Sequence, residues 1–146
     1  MSLSNLVKTG QIKAHDASPE EISRLLVAVQ RNLADARVPG VSDETRFDAA
    51  YKCIMQCASA ALLASGYRAS TNVPGHHKTM IATLRLTVGL PVETVRLLDA
   101  LRRQRNVNDY TGDVIGTDVV GECVGAAETL LEQTRQWLAK RLGGKG

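Results

Sequence analysis

Thr94-Val-Arg-Leu-Leu-Asp-Ala-Leu-Arg-Arg-Gln-Arg-Asn-Val-Asn-Asp-Tyr110 is the stretch on which the reading of this chain turns. Positions 94, 98, 101, 105 and 109 follow the steps of three and four that share one helical face. The early part of that face is apolar, with Leu98, Leu101 and, beside them, Val95. One turn on, the same line reads Arg105 and then Asp109, with Arg102 and Asn106 alongside. A core-facing stripe that turns cationic and then acidic leaves two readings open. Either the helix end leaves the core there, or the fold keeps a polar pocket at that end.

The flanks point to helices throughout. Pro91 starts the focal helix, and Thr111-Gly112 stops it. Ser18-Pro19-Glu20-Glu21 has the capping-box pattern, and the helix behind it sets Ile22, Leu26, Val29, Leu33 and Ala36 on one face. Ser42 opens the next, with Asp43 and Glu44 at its positive end. Its inner line runs Phe47, Tyr51, Ile54, Ala58, Ala61 and Ser65, widened by Ala50 and Cys57. Tyr67 to Gly75 reads as a polar loop. His76 to Val88 reads as a helix with Met80, Ile81 and Leu84 inward. Thr117 is expected to cap a long last helix that buries Val120, Cys123, Ala127, Leu130, Leu131, Thr134, Trp137 and Leu138. Leu3 to Lys8 forms a short helix stopped at Gly10. The sum is all-α: an up-and-down four-helix bundle over residues 18–142, with a short extra N-terminal element in a lead at 1–17 and a frayed, disordered tail at 143–146.

Composition agrees. The 146 residues suit one domain, and 44% hydrophobic with only 3% aromatic content demands an aliphatic, Ala-rich core. A formal charge of +3 permits contact with RNA, nucleotides or an acidic partner and requires none of them. The odd count of three cysteines, two of them inside a helical pattern, reads as reduced, buried thiols. No apolar run reaches the ~18 residues of a membrane span. No signal-peptide core precedes the first helix. The expected location is therefore cytoplasmic, without membrane partners.

The chemistry-bearing residues are few. Arg102, Arg105, Asn106 and Asp109 can act together as a phosphate clamp, a guanidinium fork steadied by a carboxylate. Alternatively Arg105 and Asp109 pair along the helix and knit it to the bundle or to a dimer mate. Tyr110 is expected to pack its ring in the core with its hydroxyl at the pocket edge. Of His76 and His77, only one can face a given pocket, since adjacent helical positions point about 100° apart. His77 could approach Arg105 and move a proton near neutrality. There is no Cys-x-x-Cys and no helical His pair, so no metal site is expected. No Gly-rich phosphate loop follows a strand, and no cofactor is expected.

Two segments carry a resemblance: Thr45-Arg-Phe-Asp-Ala-Ala-Tyr-Lys-Cys-Ile-Met-Gln-Cys-Ala-Ser-Ala-Ala-Leu-Leu-Ala-Ser-Gly-Tyr-Arg68, and Leu101-Arg-Arg-Gln-Arg-Asn-Val-Asn-Asp-Tyr110, with His76-His77-Lys78-Thr79 between them. In this order they resemble the HEPN domains (higher eukaryotes and prokaryotes nucleotide-binding), in the branch whose fourth-helix motif reads Arg, three residues, Asp-Tyr. The similarity spans roughly residues 42–140. It implies a helical bundle that often dimerises. It also implies a place in toxin–antitoxin, antiviral or RNA-processing systems, frequently beside a small nucleotidyltransferase. Active members are metal-independent ribonucleases that use an Arg, a polar residue after it and a His four to six residues on. Arg105 matches the Arg and Asn106 the polar residue, while Asn108, Asp109 and Tyr110 stand where the His would be. The resemblance thus implies a homodimeric module that binds a nucleotide, RNA or a partner protein without turnover, through Arg102, Arg105, Asn106, Asp109 and Tyr110. A nucleotidyltransferase or antitoxin is the partner it suggests. The alternatives are a ribonuclease using Arg105 with His77 or Tyr110, and a dimerisation scaffold.

Overall fold

Helix α3 (Asp43–Ala64) occupies the centre of the molecule. The structure, a computed structural model, describes residues 1–143. Ser42 caps α3 by accepting from the Thr45 amide at 3.3 Å. Phe47, Ile54 and Leu62 are fully buried along it, as are the small residues Ala50, Ala58 and Ala61. These small side chains let α2 (Pro19–Ala36) and α6 (Thr117–Gly143) close on α3 along most of its length. All three cysteines are buried and free in this interior. Burial pushes their thiols up, Cys53 to about 11 and Cys57 and Cys123 to about 12, so they are inert space-fillers near neutrality.

The helix ends are satisfied by local chemistry. At α2 the Ser18 hydroxyl accepts from the Glu21 amide at 3.2 Å, and the Glu21 carboxylate accepts from the Ser18 amide at 3.3 Å. At its far end Arg46 Nε donates to the Ala36 carbonyl at 2.8 Å, filling one of the acceptors a helix terminus leaves open. Helix α5 (Val92–Thr111) leans on α4 (His76–Thr83) and meets α3 over a shorter stretch. It buries Leu98 and Leu101 as the periodicity required. Gly112 ends it at φ 75°, a left-handed conformation that favours glycine. The buried Asn108 side chain secures the turn, donating to the Asp113 carbonyl at 2.9 Å and accepting from Gln104.

An all-α bundle with a short N-terminal element is what the chain forms, and four details depart from expectation. The lead is not loose. After α1 (Leu3–Lys8), β1 (Ile12–Ala14) pairs antiparallel with β2 (Tyr67–Ala69), Ile12 opposite Ala69. The stretch after Tyr67 is therefore partly strand, and Ile12 is 1% exposed. Helix α4 stops at Thr83 rather than Val88. The amides of Leu84, Arg85 and Leu86 bond three residues back instead of four, tightening the chain toward Gly89. Thr117 is the first residue of α6. Its hydroxyl donates to Asp43 at 3.0 Å, while the Gly116 carbonyl accepts from Val119 and Val120. Of the tail expected at 143–146, Gly143 closes α6 and residues 144–146 lie outside the described residues. Among the described residues no helix is long and apolar enough to cross a membrane.

Because Ile12 belongs to the core, Ile12→Ala is expected to lower unfolding stability by about 2–4 kcal/mol, the range for a large-to-small change in a packed interior. Urea titration followed by far-UV circular dichroism measures it. A loss under half a kilocalorie would mean the lead contributes nothing.

Candidate functional site

Between α2 and α4 the outer side of α3 is left uncovered, and its residues there are polar. Thr45, Asp48, Lys52, Gln56 and Ser59 recur at steps of three and four, so they form one stripe on a helix otherwise enclosed. The upper part of this stripe floors a recess of about 570 Å³ lined by Asn32, Thr45, Asp48, Tyr51, Lys52, Met55, Gln56, His77 and Arg105. Its size falls in the range of small-molecule pockets.

Arg105 reaches the recess from α5. Its guanidinium lies 5.0 Å above the Tyr51 ring, a cation–π arrangement. Arg105 Nε is 3.5 Å from Asp48 and 4.0 Å from Asp109. Those are ion-pair distances, yet the alignment makes no hydrogen bond, and Nε is shielded from solvent with no acceptor among the described residues. Both carboxylates are more than half exposed, 57% for Asp48 and 59% for Asp109. Such pairs are worth about 0–1 kcal/mol and yield readily to a better acceptor.

His77 comes to the same recess from the first turn of α4. Its Nδ1 is 3.2 Å from the Tyr51 hydroxyl, and its ring meets that of His76 edge-on at 4.5 Å. Burial, then His76, Arg105 and Arg102, hold His77 below the usual histidine range, so it is neutral at pH 7. Burial pushes the Tyr51 phenol up to about 12, against the pull of Arg105 and Arg102. With the Tyr51 hydroxyl donating into Nδ1 the imidazole proton sits on Nε2, and in the other tautomer Nδ1 donates to the hydroxyl. Arg105, Lys52 and His77 thereby supply hydrogen-bond donors and positive charge, the complement of a phosphate or carboxylate oxygen.

The structure brings together only two of the residues singled out in the sequence, Arg105 and His77. Arg102 is turned aside into a 2.7 Å bond with Asp99, which Arg103 also approaches at 3.6 Å. Asn106 is exposed and outside the recess lining, and Asp109 stands at the edge through its contact with Arg105. Tyr110 corrects the expectation most plainly. The residue is 95% exposed and lies outside the core, because α5 has run past the packed interior by that turn. Tyr51, Asp48, Lys52 and Gln56 were missed as site residues. The polar stripe along an Ala-rich helix was the signal that could have found them. Among the described residues no cluster of three or more His, Cys, Asp or Glu side chains could hold a metal ion. No protein-family model, curated protein or solved structure matches the chain.

In a nuclear magnetic resonance titration His77 is expected to titrate below the ordinary histidine value. In Arg105→Met it should move upward without reaching that value, since burial is the larger cause. The linkage has a definite sign. The unfolded chain takes up this proton first, so stability falls as pH drops through the ordinary histidine range, and the loss is complete below the lowered value. An unshifted His77 in the wild type would contradict the assigned geometry.

Proposed function

We propose that this chain is a HEPN-like helical module that binds a phosphate-bearing nucleotide, free or within an RNA, in the recess beside Arg105 and without turning it over. The observation that carries the reading is Arg105 itself, a guanidinium with a solvent-shielded N–H that has no acceptor, set above an aromatic ring in a cavity of fitting size. A buried donor left unpaired costs about 1–3 kcal/mol, and a ligand oxygen recovers that cost. The resemblance of residues 45–68 and 101–110 to HEPN domains points the same way. Arg105→Ala should weaken binding of adenosine monophosphate or a short oligoadenylate roughly 10- to 150-fold, the equivalent of ~1.5–3 kcal/mol for a charge-assisted bond. Equal binding by both proteins in isothermal titration would remove the reading.

A second reading, a metal-independent ribonuclease, draws on His77, which shares the recess with Arg105. Its test is incubation with RNA in EDTA. Cleavage lost in both Arg105→Ala and His77→Ala would favour it over binding alone.

We also propose that the module is a homodimer joined through α5. Leu97, Val107, Tyr110 and Val114 are exposed along α5 and the loop behind it. A contact between two copies along α5 would cover these apolar side chains. Sedimentation equilibrium should find a dimer whose dissociation constant rises at least tenfold in Val107→Glu. A wild-type monomer at 100 µM would end this part of the reading.

A further inference from the structure

The recess beside Arg105 does not end at His77. Met55, Gln56 and His77 line it and also line a second basin of about 400 Å³, farther along α3. The floor of that basin is apolar, made by Leu25, Met55, Leu63 and Met80, with Ser59, Thr71 and Arg68 among the polar residues around it. Its one carboxylate, Glu21, is already bonded to His15 at 3.0 Å, which together with the Ser18 amide holds it below the usual carboxylate range. The two basins follow the α3 stripe from Asp48 to Leu63, roughly 22 Å at 1.5 Å per residue.

Gln56 stands where the basins meet, and its amide is oriented. Asn32 Nδ2 of α2 donates to Gln56 Oε1 at 2.8 Å. With its carbonyl engaged, Gln56 keeps Nε2 free, for that group has no hydrogen-bond partner among the described residues. A fixed amide with two unused donors between a cationic recess and an apolar one is a reading head for an acceptor on a flat, uncharged ring. We infer that the two basins are one site in which Arg105 takes the phosphate of a nucleotide and Gln56, positioned by Asn32, recognises its base lying on the apolar floor beyond. This rests on the phosphate-binding reading above.

The chemistry separates the two halves. The first basin offers Arg105, Lys52 and His77 to an anion and would accept a sugar phosphate as well as a nucleotide. To a phosphate the second offers only the exposed Arg68 and the imidazoles of His15, His76 and the shared His77, of which His15 is already paired with Glu21, and most of its surface is hydrocarbon, which suits the face of a heterocycle. Replacing Gln56 should therefore change which ligand is preferred and leave phosphate capture intact. Replacing Arg105 should weaken every ligand alike.

Isothermal titration with inorganic phosphate, ribose 5-phosphate, adenosine monophosphate and uridine monophosphate tests this on the full chain. Wild type should bind at least one nucleotide about tenfold more tightly than ribose 5-phosphate. Gln56→Leu should lose most of that advantage while its ribose 5-phosphate affinity stays within twofold. Ser59→Trp, which fills the second basin, should do the same, and Asn32→Ala should lose part of it. Nucleotides binding no better than ribose 5-phosphate would overturn the inference and leave the phosphate reading standing, provided Arg105→Ala still weakens both. So would Gln56→Leu and Ser59→Trp that leave the nucleotide advantage intact or weaken ribose 5-phosphate equally. Wild type and Arg105→Ala behaving alike toward every ligand would overturn both readings.

Discussion

A helix enclosed by its neighbours on all sides but one has to put its remaining polar residues on the open side. That constraint governs this protein. Through the middle of α3 the only residues not buried are Lys52, Gln56 and Ser59, one above another at steps of four and three. The burial of Cys53, Ile54, Cys57, Ala58, Ala60, Ala61 and Leu62 around them fixes the rotation of the helix, and with it the direction of the stripe. Packing that is indifferent to function thus decides where a ligand can lie. Small side chains bring α2 and α6 close, and α4 rises beyond the far edge of the stripe as a second wall.

Against that floor the electrostatics are loosely balanced. Arg105 has two carboxylates near it, Asp48 and Asp109, each largely in water and neither aligned to accept from Nε. Their field favours the guanidinium without saturating it. Arg102, one turn earlier, shows the contrast, since its 2.7 Å bond to Asp99 leaves Nε committed along α5. Two arginines three residues apart on one helix therefore have different prospects. The one squarely bonded to its partner serves the helix, and the one whose partners are badly angled keeps an N–H for another acceptor.

The fold was legible because its signals are local. The Ser18 capping box, the Ser42 cap, the Gly112 stop and the apolar lines of α2, α3 and α6 need nothing beyond their own neighbourhoods. What escaped was non-local or terminal. The pairing of Ile12 with Ala69 links residues far apart in the chain, and a three-residue strand leaves no periodicity to read. The end of α4 depended on a change to tighter hydrogen bonding that no single residue announces. In the site, Arg105 was legible as a polar residue on a face that should be apolar, and His77 as an imidazole at a helix start within reach of it. Tyr110 misleads because aromatic bulk suggests burial, whereas α5 outlasts the core it packs on. Tyr51 misled in reverse. Its place in the buried line of α3 hid a hydroxyl that reaches His77 and a ring that carries Arg105.

The same inventory weighs binding against turnover. Phosphodiester cleavage without a metal needs one group to take a proton and another to give one, both with affinities near the working pH. Tyr51 holds its proton to about 12 and so cannot act as a base. His77 is neutral, but its Nδ1 is bonded to Tyr51, and in the tautomer in which Tyr51 donates only an Nε2–H donor is left free. Lys52 and Arg105 are donors as well. Apart from the Asp48 carboxylate beside Arg105, the charged groups are donors, and donors that grip a phosphate before reaction as firmly as during it lower the free energy of the complex without lowering the barrier above it. To become catalytic the recess would have to free His77 Nδ1, which means breaking its bond to Tyr51 and turning the ring. Within the proposed binding role, the same Tyr51 both engages His77 and supports Arg105.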